Sequence, residues 1–219
     1  MDNVLSVMAG RWNEHALTYE EKHHGFRKDE RSAWKAVLAR ELGEDHSQQV
    51  LDVGTGTGFL ALMAAEMGFP CTGIDFSTGM LDVAKKHARE QNLQITFIQG
   101  KIEKLPFADQ TFDVVMNRSV LWTLLHPEVI MKEWLRVLKN GGSLICFHSE
   151  GKMKGNHYPV EIEEQLPLKG APAEAIRQLL EKVGFIDTVA RPLPEVVATS
   201  INHGRRTWYV IRGRKNSRF

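Results

Sequence analysis

A short apolar run, Val50-Leu51-Asp52-Val53, ends in Gly54-Thr55-Gly56-Thr57-Gly58, and a helix-like segment, Phe59 to Met67, follows at once. A strand-turn-helix unit of this kind brings backbone close to a ligand. Glycine permits the tight turn and leaves no side chain to hold the ligand away. Asp75 closes the next apolar run, Cys71-Thr72-Gly73-Ile74. It lies about 20 residues beyond the first glycine, where a βαβ unit places a carboxylate for ribose hydroxyls. The pattern predicts a nucleotide-like ligand.

The rest of the chain repeats the alternation. Val4, Leu5, Met8 and Trp12 recur at helical spacing, and so do Trp34, Val37, Leu38 and Leu42. Strands are predicted at Gln49–Val53, Cys71–Asp75, Ile95–Gln99, Phe112–Asn117, Ser143–His148, Phe185–Ala190 and Thr207–Arg212. Helices are predicted at Thr57–Met67, Ser77–Gln91, His126–Leu138 and Pro172–Val183, the last ended by Gly184. Gly151 to Gly170 shows no clear periodicity. Strands alternating with helices imply a doubly wound α/β fold with a mostly parallel sheet. Ligands bind such sheets beyond the C-terminal strand ends, where strand order reverses. The turn after Val53, Asp75, the segment after Gln99, Asn117-Arg118 and His148-Ser149 are therefore expected around one crevice. The 219 residues fit one domain: a helical cap (1–45), a ligand-binding core (46–150) and an insertion with C-terminal elements (151–219).

Spacing narrows the ligand. The dinucleotide fingerprint needs a small residue where Phe59 stands, which opposes a nucleotide-binding oxidoreductase. The phosphate-cradling loop needs Lys and Ser or Thr where Phe59-Leu60 stand. What remains is D-x-G-x-G-x-G with a downstream acid. It resembles the first motif of the class I S-adenosylmethionine-dependent methyltransferases. Asp75-Phe76-Ser77-Thr78-Gly79-Met80-Leu81 is similar to the family's second motif. Leu105-Pro106-Phe107 with Phe112-Asp113-Val114-Val115, and Arg136-Val137-Leu138-Lys139-Asn140-Gly141-Gly142, resemble two more, in family order. Within the family these motifs look most like the small-molecule type that includes ubiquinone and menaquinone biosynthesis enzymes.

The resemblance implies a seven-stranded sheet with an antiparallel last strand. It implies S-adenosylmethionine as cofactor and S-adenosylhomocysteine as product, with a small-molecule acceptor. It places Gly54, Thr55 and Gly56 at the cofactor, with Asp52 near its amino group. Asp75 falls on the ribose, and Phe76 and Met80 near the adenine. Tyr19, in a W-x-x-x-A-x-x-Y lead-in, falls near the methionine carboxylate. Lys101 stands where members often carry an adenine-reading Asp, and lysine cannot accept a hydrogen bond. Either Glu103 takes over or the Ile102 backbone reads the adenine alone. Asn117, at the end of the fourth strand, faces the methyl group by topology. Asn117-Arg118-Ser119-Val120 departs from the [DNS]-P-P-[YF] of amino-directed nucleic-acid methyltransferases.

Methyl transfer is an in-line displacement governed by alignment, with a base needed only if the acceptor still carries a proton. His148 is the candidate base. Trp12, Arg118, Trp122 and Tyr158 are candidate acceptor-site residues, Arg118 for an acidic substrate or a protein carboxylate. No H-x-x-x-H or Cys-His cluster supports a metal. His15, His23, His24 and His157 raise a metal reading, but a mobile polar lid is the expectation. The net charge of +1 opposes a dominant nucleic-acid footprint. Arg205, Arg206, Arg212, Arg214, Lys215 and Arg218 gather at the C-terminal end. Trp208, Val210 and Ile211 put part of this group on a strand with alternating exposure, and the group reads as a solvated tail, though were it functional it would suit an RNA-directed enzyme. A non-catalytic cofactor-binding module or partner subunit is the other alternative. Cys71 and Cys146 sit in apolar runs and read as buried thiols of a reducing compartment. With no long apolar stretch, a cytoplasmic protein without a membrane span is expected. Oligomeric state is not legible.

Overall fold

The structure, a computed structural model, describes residues 2–19, 28–151, 157–197 and 207–217. His23, His24, Arg205, Arg206 and Arg218 lie outside the described residues, as does part of the Gly151 to Gly170 stretch.

Seven strands form one sheet: β1 (Val50–Val53), β2 (Cys71–Asp75), β3 (Ile95–Gln99), β4 (Phe112–Arg118), β5 (Leu138–Glu150), β6 (Phe185–Pro192) and β7 (Thr207–Lys215). Their order is β3-β2-β1-β4-β5-β7-β6. The first five run parallel, and β7 is antiparallel to both neighbours, β5 and β6. The strand order reverses between β1 and β4, so the crevice belongs at their C-terminal ends.

The helices are α1 (Asp2–His15), α2 (Lys28–Leu42), α3 (Phe59–Glu66), α4 (Thr78–Glu90), α5 (Pro127–Val137), α6 (Val160–Glu163), α7 (Ala173–Val183) and α8 (Pro194–Val197). Of these, α6 lies in the stretch that showed no periodicity, and α8 was not expected either. Both are single turns, too short for a hydrophobic period to register.

Strand side chains alternate between two cores, as a period of two requires. Leu51, Val115, Leu144, Cys146 and Ile211 face α5 and α7. Val50, Val114, Met116, Ile145, Phe147, Trp208 and Val210 face α2 and α3. Trp34 centres this second core. Its ring meets Phe59, Phe147 and Trp208 edge-on at 5.9, 5.3 and 5.0 Å. The N-terminal helices thus divide their labour: α2 buries Trp34, Val37 and Leu38 against the sheet, while α1 crosses the strand ends. A third cluster, Met8, Trp122, Tyr158, Ile162 and Leu166, lies under α1, off the sheet.

Both ends of β5 moved for physical reasons. β5 begins at Leu138 rather than Ser143, because Leu138 pairs with Phe112 before a register shift to Val114–Ser143. The extra residues bulge out where Gly141 takes φ 77°. A Cβ on Gly142 would lie 2.9 Å from the Asp113 carbonyl oxygen. β5 also runs on past His148, since Ser149 and Glu150 pair with Trp208 and Thr207. His148 is therefore not the terminus of its strand.

Candidate active site

Asp52 fixes the glycine turn from below. Its Oδ2 accepts from Thr55 Oγ1 at 2.7 Å and from Ala61 N–H at 3.2 Å, both inside the fold. Gly54 and Thr55 both donate from N–H to the Ile74 carbonyl, at 2.8 and 3.0 Å, which ties the turn to β2. Gly54 and Gly56 have φ of 65° and 56°, the left-handed region that favours glycine. They serve different ends. A Cβ on Gly54 would lie 2.5 Å from Val120 Cγ2, whereas one on Gly56 would meet nothing within 4 Å. Gly54 is needed for packing against the opposite wall. Gly56 leaves bare backbone facing open space, which is room for a ligand.

Asp75 is buried at 5% exposure at the end of β2. Gly56 N–H donates to its Oδ2 and Ser77 N–H to its Oδ1, each at 2.9 Å. Each oxygen keeps capacity for one further donor, so the carboxylate can take a vicinal diol. Burial pushes its pKa up to about 6, against the pull of those amides. Burial likewise raises Asp52 to about 7, with Asp75 adding to the shift and Thr55, Ala61 and Arg118 opposing it.

One crevice gathers Trp12, Tyr19, Gly54, Gly56, Asp75, Phe76, Met80, Ile102, Arg118, Ser119, Val120 and Thr123. Phe76, Ile102 and Thr123 also line an adjoining cavity of about 440 Å³, walled by Gln99 to Glu103 and roofed by Leu5, Ser6, Met8 and Ala9 of α1. The chemistry changes along the strand ends. The mainly apolar cavity lies beyond β3, the carboxylate at β2, bare backbone at β1, and a cation at β4. Lys101 and Glu103 both reach the cavity, so either can meet what it holds.

The roof is docked on the second motif. Asn13 Oδ1 accepts from Ser77 Oγ at 2.7 Å and from Gly79 N–H at 3.0 Å. Gly79 has a packing reason too: a Cβ there would come within 3.2 Å of Ala16. The sequence carried no sign of Asn13. The lining residues Leu5, Met8 and Trp12 were visible as a helical stripe, but not as a roof.

Arg118 presents its guanidinium to three rings. Its Cζ lies 4.3 Å from the Phe59 ring centre, 4.8 Å from Trp34 and 4.9 Å from Trp208. Its buried Nε has no hydrogen-bond partner. Burial lowers its pKa, opposed by the nearby Tyr19, Glu30 and Asp52. Tyr19 stands between charges. Burial raises its pKa, Arg118 lowers it and Asp75 raises it. Ser119 follows at φ 59°, an unusual conformation for a side chain-bearing residue.

Trp12, Trp122 and Tyr158 come together. Trp12 Nε1 donates to Tyr158 Oη at 2.7 Å, and Trp122 lies 6.3 Å from Trp12 and 5.7 Å from Tyr158, ring to ring. Burial raises the Tyr158 pKa. Glu163, missed in the sequence, anchors this segment by accepting from the amides of His157 and Tyr158 and from Lys169. Arg136, of the fourth motif, binds Glu133, Asp109 and the carbonyls of Phe107 and Leu105, so two sequence motifs hold one loop.

Asp52, Thr55, Asn117 and His148 lie behind the wall rather than on it. Asn117 is fully buried, and its Nδ2 donates to Cys146 Sγ at 3.1 Å. That thiol is pushed up to about 12 by burial. His148 shares the face of Cys146 on β5, opposite to that of Arg118, and its Nε2 sits 2.9 Å from the Ala171 carbonyl. Among the described residues no group of His, Cys, Asp and Glu could hold a metal, and no helix is long and apolar enough to cross a membrane.

The Methyltransferase domain family matches residues 51–146, the span from β1 to β5. A ubiquinone/menaquinone biosynthesis C-methyltransferase UbiE from Bradyrhizobium sp. (strain BTAi1) is 33% identical over 198 residues, covering 82% of this chain and 76% of that protein. The chain belongs to the class I S-adenosylmethionine-dependent methyltransferases. A demethylmenaquinone methyltransferase from Renibacterium salmoninarum is 33% identical over 145 residues, 66% of this chain and 60% of that protein. The chain spans about half the length of other curated relatives it matches. Haemonchus contortus phosphoethanolamine N-methyltransferase 2, solved with phosphomonomethylethanolamine and S-adenosylhomocysteine, superposes with a TM-score of 0.66. It is 21% identical and covers 83% of this chain and 52% of that one, a likeness of fold.

Proposed function

We propose that this chain transfers a methyl group from S-adenosylmethionine to a small, ring-bearing acceptor. The observation that carries the reading is the order of chemistry across the strand ends, from an apolar cavity through a diol-binding carboxylate and bare glycine backbone to a cation. That order is the order of adenine, ribose and amino acid in the cofactor. Phe76, Met80 and Ile102 take the adenine, with Lys101 or Glu103 at its edge. Asp75 takes both ribose hydroxyls. Gly54 and Gly56 admit the methionine chain, and Tyr19 faces its polar end. Thr55 and Asp52 hold the turn in shape, and Asn117 supports the wall from behind.

The cofactor supplies a methyl group already activated on a sulfonium. The protein's part is alignment and exclusion of water. Trp12 and the Trp122–Tyr158 cluster give an apolar, aromatic surface beside the crevice, which suits a ring. The quinone-pathway names of the relatives support the same acceptor class. The buried free thiols Cys71 and Cys146 support a reducing, cytoplasmic setting.

Calorimetric titration with S-adenosylmethionine and S-adenosylhomocysteine tests this. Wild type should bind both saturably. Asp75→Ala should weaken both by about 100-fold or more, as expected for losing charge-assisted bonds to two hydroxyls. Folded wild type that binds neither ligand would sink the reading. A binding result then justifies a screen of hydroquinone-like ring acceptors for release of S-adenosylhomocysteine.

A further inference from the structure

We infer that Arg118 is the carboxylate receptor for the amino-acid end of the cofactor, a role that rests on the methyltransferase reading above. The position argues first. Arg118 ends β4, the strand across the switch point from β1, and lines the same crevice as Gly54, Gly56 and Asp75. With the adenine beyond β3 and the ribose at β2, the amino-acid end falls between β1 and β4.

The chemistry argues second. A guanidinium is always charged, carries five donors and accepts nothing. The Arg118 guanidinium rests against the rings of Phe59, Trp34 and Trp208 within 4.9 Å, and its buried Nε has no partner. Ring faces stabilise the charge but do not satisfy N–H donors. Tyr19, Glu30 and Asp52 lie near this charge, and Arg118 also lines the crevice, where an incoming anion can reach it. The cofactor has one anionic group, its carboxylate, and a planar fork matches that group in two bonds. The three rings come from α2, α3 and β7, so the guanidinium is fixed in place before any ligand arrives.

The turn argues third. Ser119 adopts φ 59°, and its N–H donates to the Phe147 carbonyl at 3.0 Å. The chain therefore bends sharply at the residue after Arg118 and leaves the strand end there.

The test edits both partners. Calorimetry would compare S-adenosylhomocysteine, its decarboxylated analogue and 5′-methylthioadenosine, on wild type, Arg118→Met and Arg118→Lys. Wild type should prefer S-adenosylhomocysteine over the decarboxylated analogue by about 10- to 100-fold, the scale of a charge-assisted pair. Arg118→Met, whose side chain still fills the aromatic cage, should erase that preference and leave methylthioadenosine affinity within about twofold. Arg118→Lys should retain part of it. Equal affinity of wild type for the first two ligands overturns the inference, even if neither variant folds. So does an Arg118→Met protein that loses all three ligands alike, or one that binds S-adenosylhomocysteine normally and loses only an acidic acceptor. Wild type that binds none of the three removes the methyltransferase reading itself, a separate and recognisable result.

Discussion

The two sides of the crevice are built by different means. The side formed by β1, β2 and their turns is backbone and carboxylate: Gly54, Gly56, Asp75 and the amides that hold them. The side under α1 is side chain against side chain: Trp12, Trp122 and Tyr158, brought in from three distant segments. A backbone site is stiff and tolerates few substitutions. An aromatic site can be repacked, so it can change its ligand without losing its fold. The first suits a cofactor that never varies, and the second an acceptor that does.

Three changes would break or sharpen that contrast. The largest effect is expected at Gly54→Ala, which combines a left-handed backbone position with the contact to Val120. Together these should cost about 2–5 kcal/mol in stability. Adding Val120→Ala should recover part of it, read by urea denaturation. Full stability in the single variant would show that the backbone side is softer than its geometry implies.

The second is a pH effect. The Asp52 carboxyl, pushed up to about 7, binds its proton more tightly folded than unfolded. Its contribution is complete below about pH 4 and is lost as pH rises toward 7, a slope of the sign linkage requires. Ligand-free wild type should therefore lose on the order of 2–4 kcal/mol relative to Asp52→Asn between pH 4 and 8. Parallel pH profiles for the two proteins would refute the buried charge as its cause.

The smallest is Tyr158→Phe, which removes the acceptor for Trp12 Nε1 and should cost about 1 kcal/mol. S-Adenosylhomocysteine affinity should stay unchanged while the KM for a ring acceptor rises roughly threefold, within the range of one lost hydrogen bond. A matching loss of cofactor affinity would mean that the two sides are not separable.

This contrast also explains what could be read from the chain alone. The backbone side was legible because its parts are local: glycine spacing, an acid at the next strand end, and Ser77 at the cap of the helix that follows. A mostly parallel sheet followed from the alternation, and its antiparallel last strand from the family resemblance; the order of the strands came only with the structure. The aromatic side was legible only as residue types. Trp12, Trp122 and Tyr158 were named as lining residues, but that they pack on one another depends on distant contacts. Asn13 and Glu163 were invisible for the same reason. Asn117 and His148 were named for being at strand ends. Which face of the strand they occupy, and hence that both point into the α5 and α7 core, depends on pairing register.

Arg136 has a consequence for the cavity that is entropic rather than chemical. The connection from Gln99 to Phe112 contains no helix, unlike the connections from β1 to β2 and from β2 to β3. A stretch of that length would ordinarily wander, and its Gly100–Glu103 portion is a wall of the cavity. One guanidinium removes the slack by gripping two carbonyls of the connection and Asp109, while Glu133 grips it in turn and receives the Leu105 amide. How sharply the cavity distinguishes one ring from another therefore depends on a residue that belongs to the helix behind it.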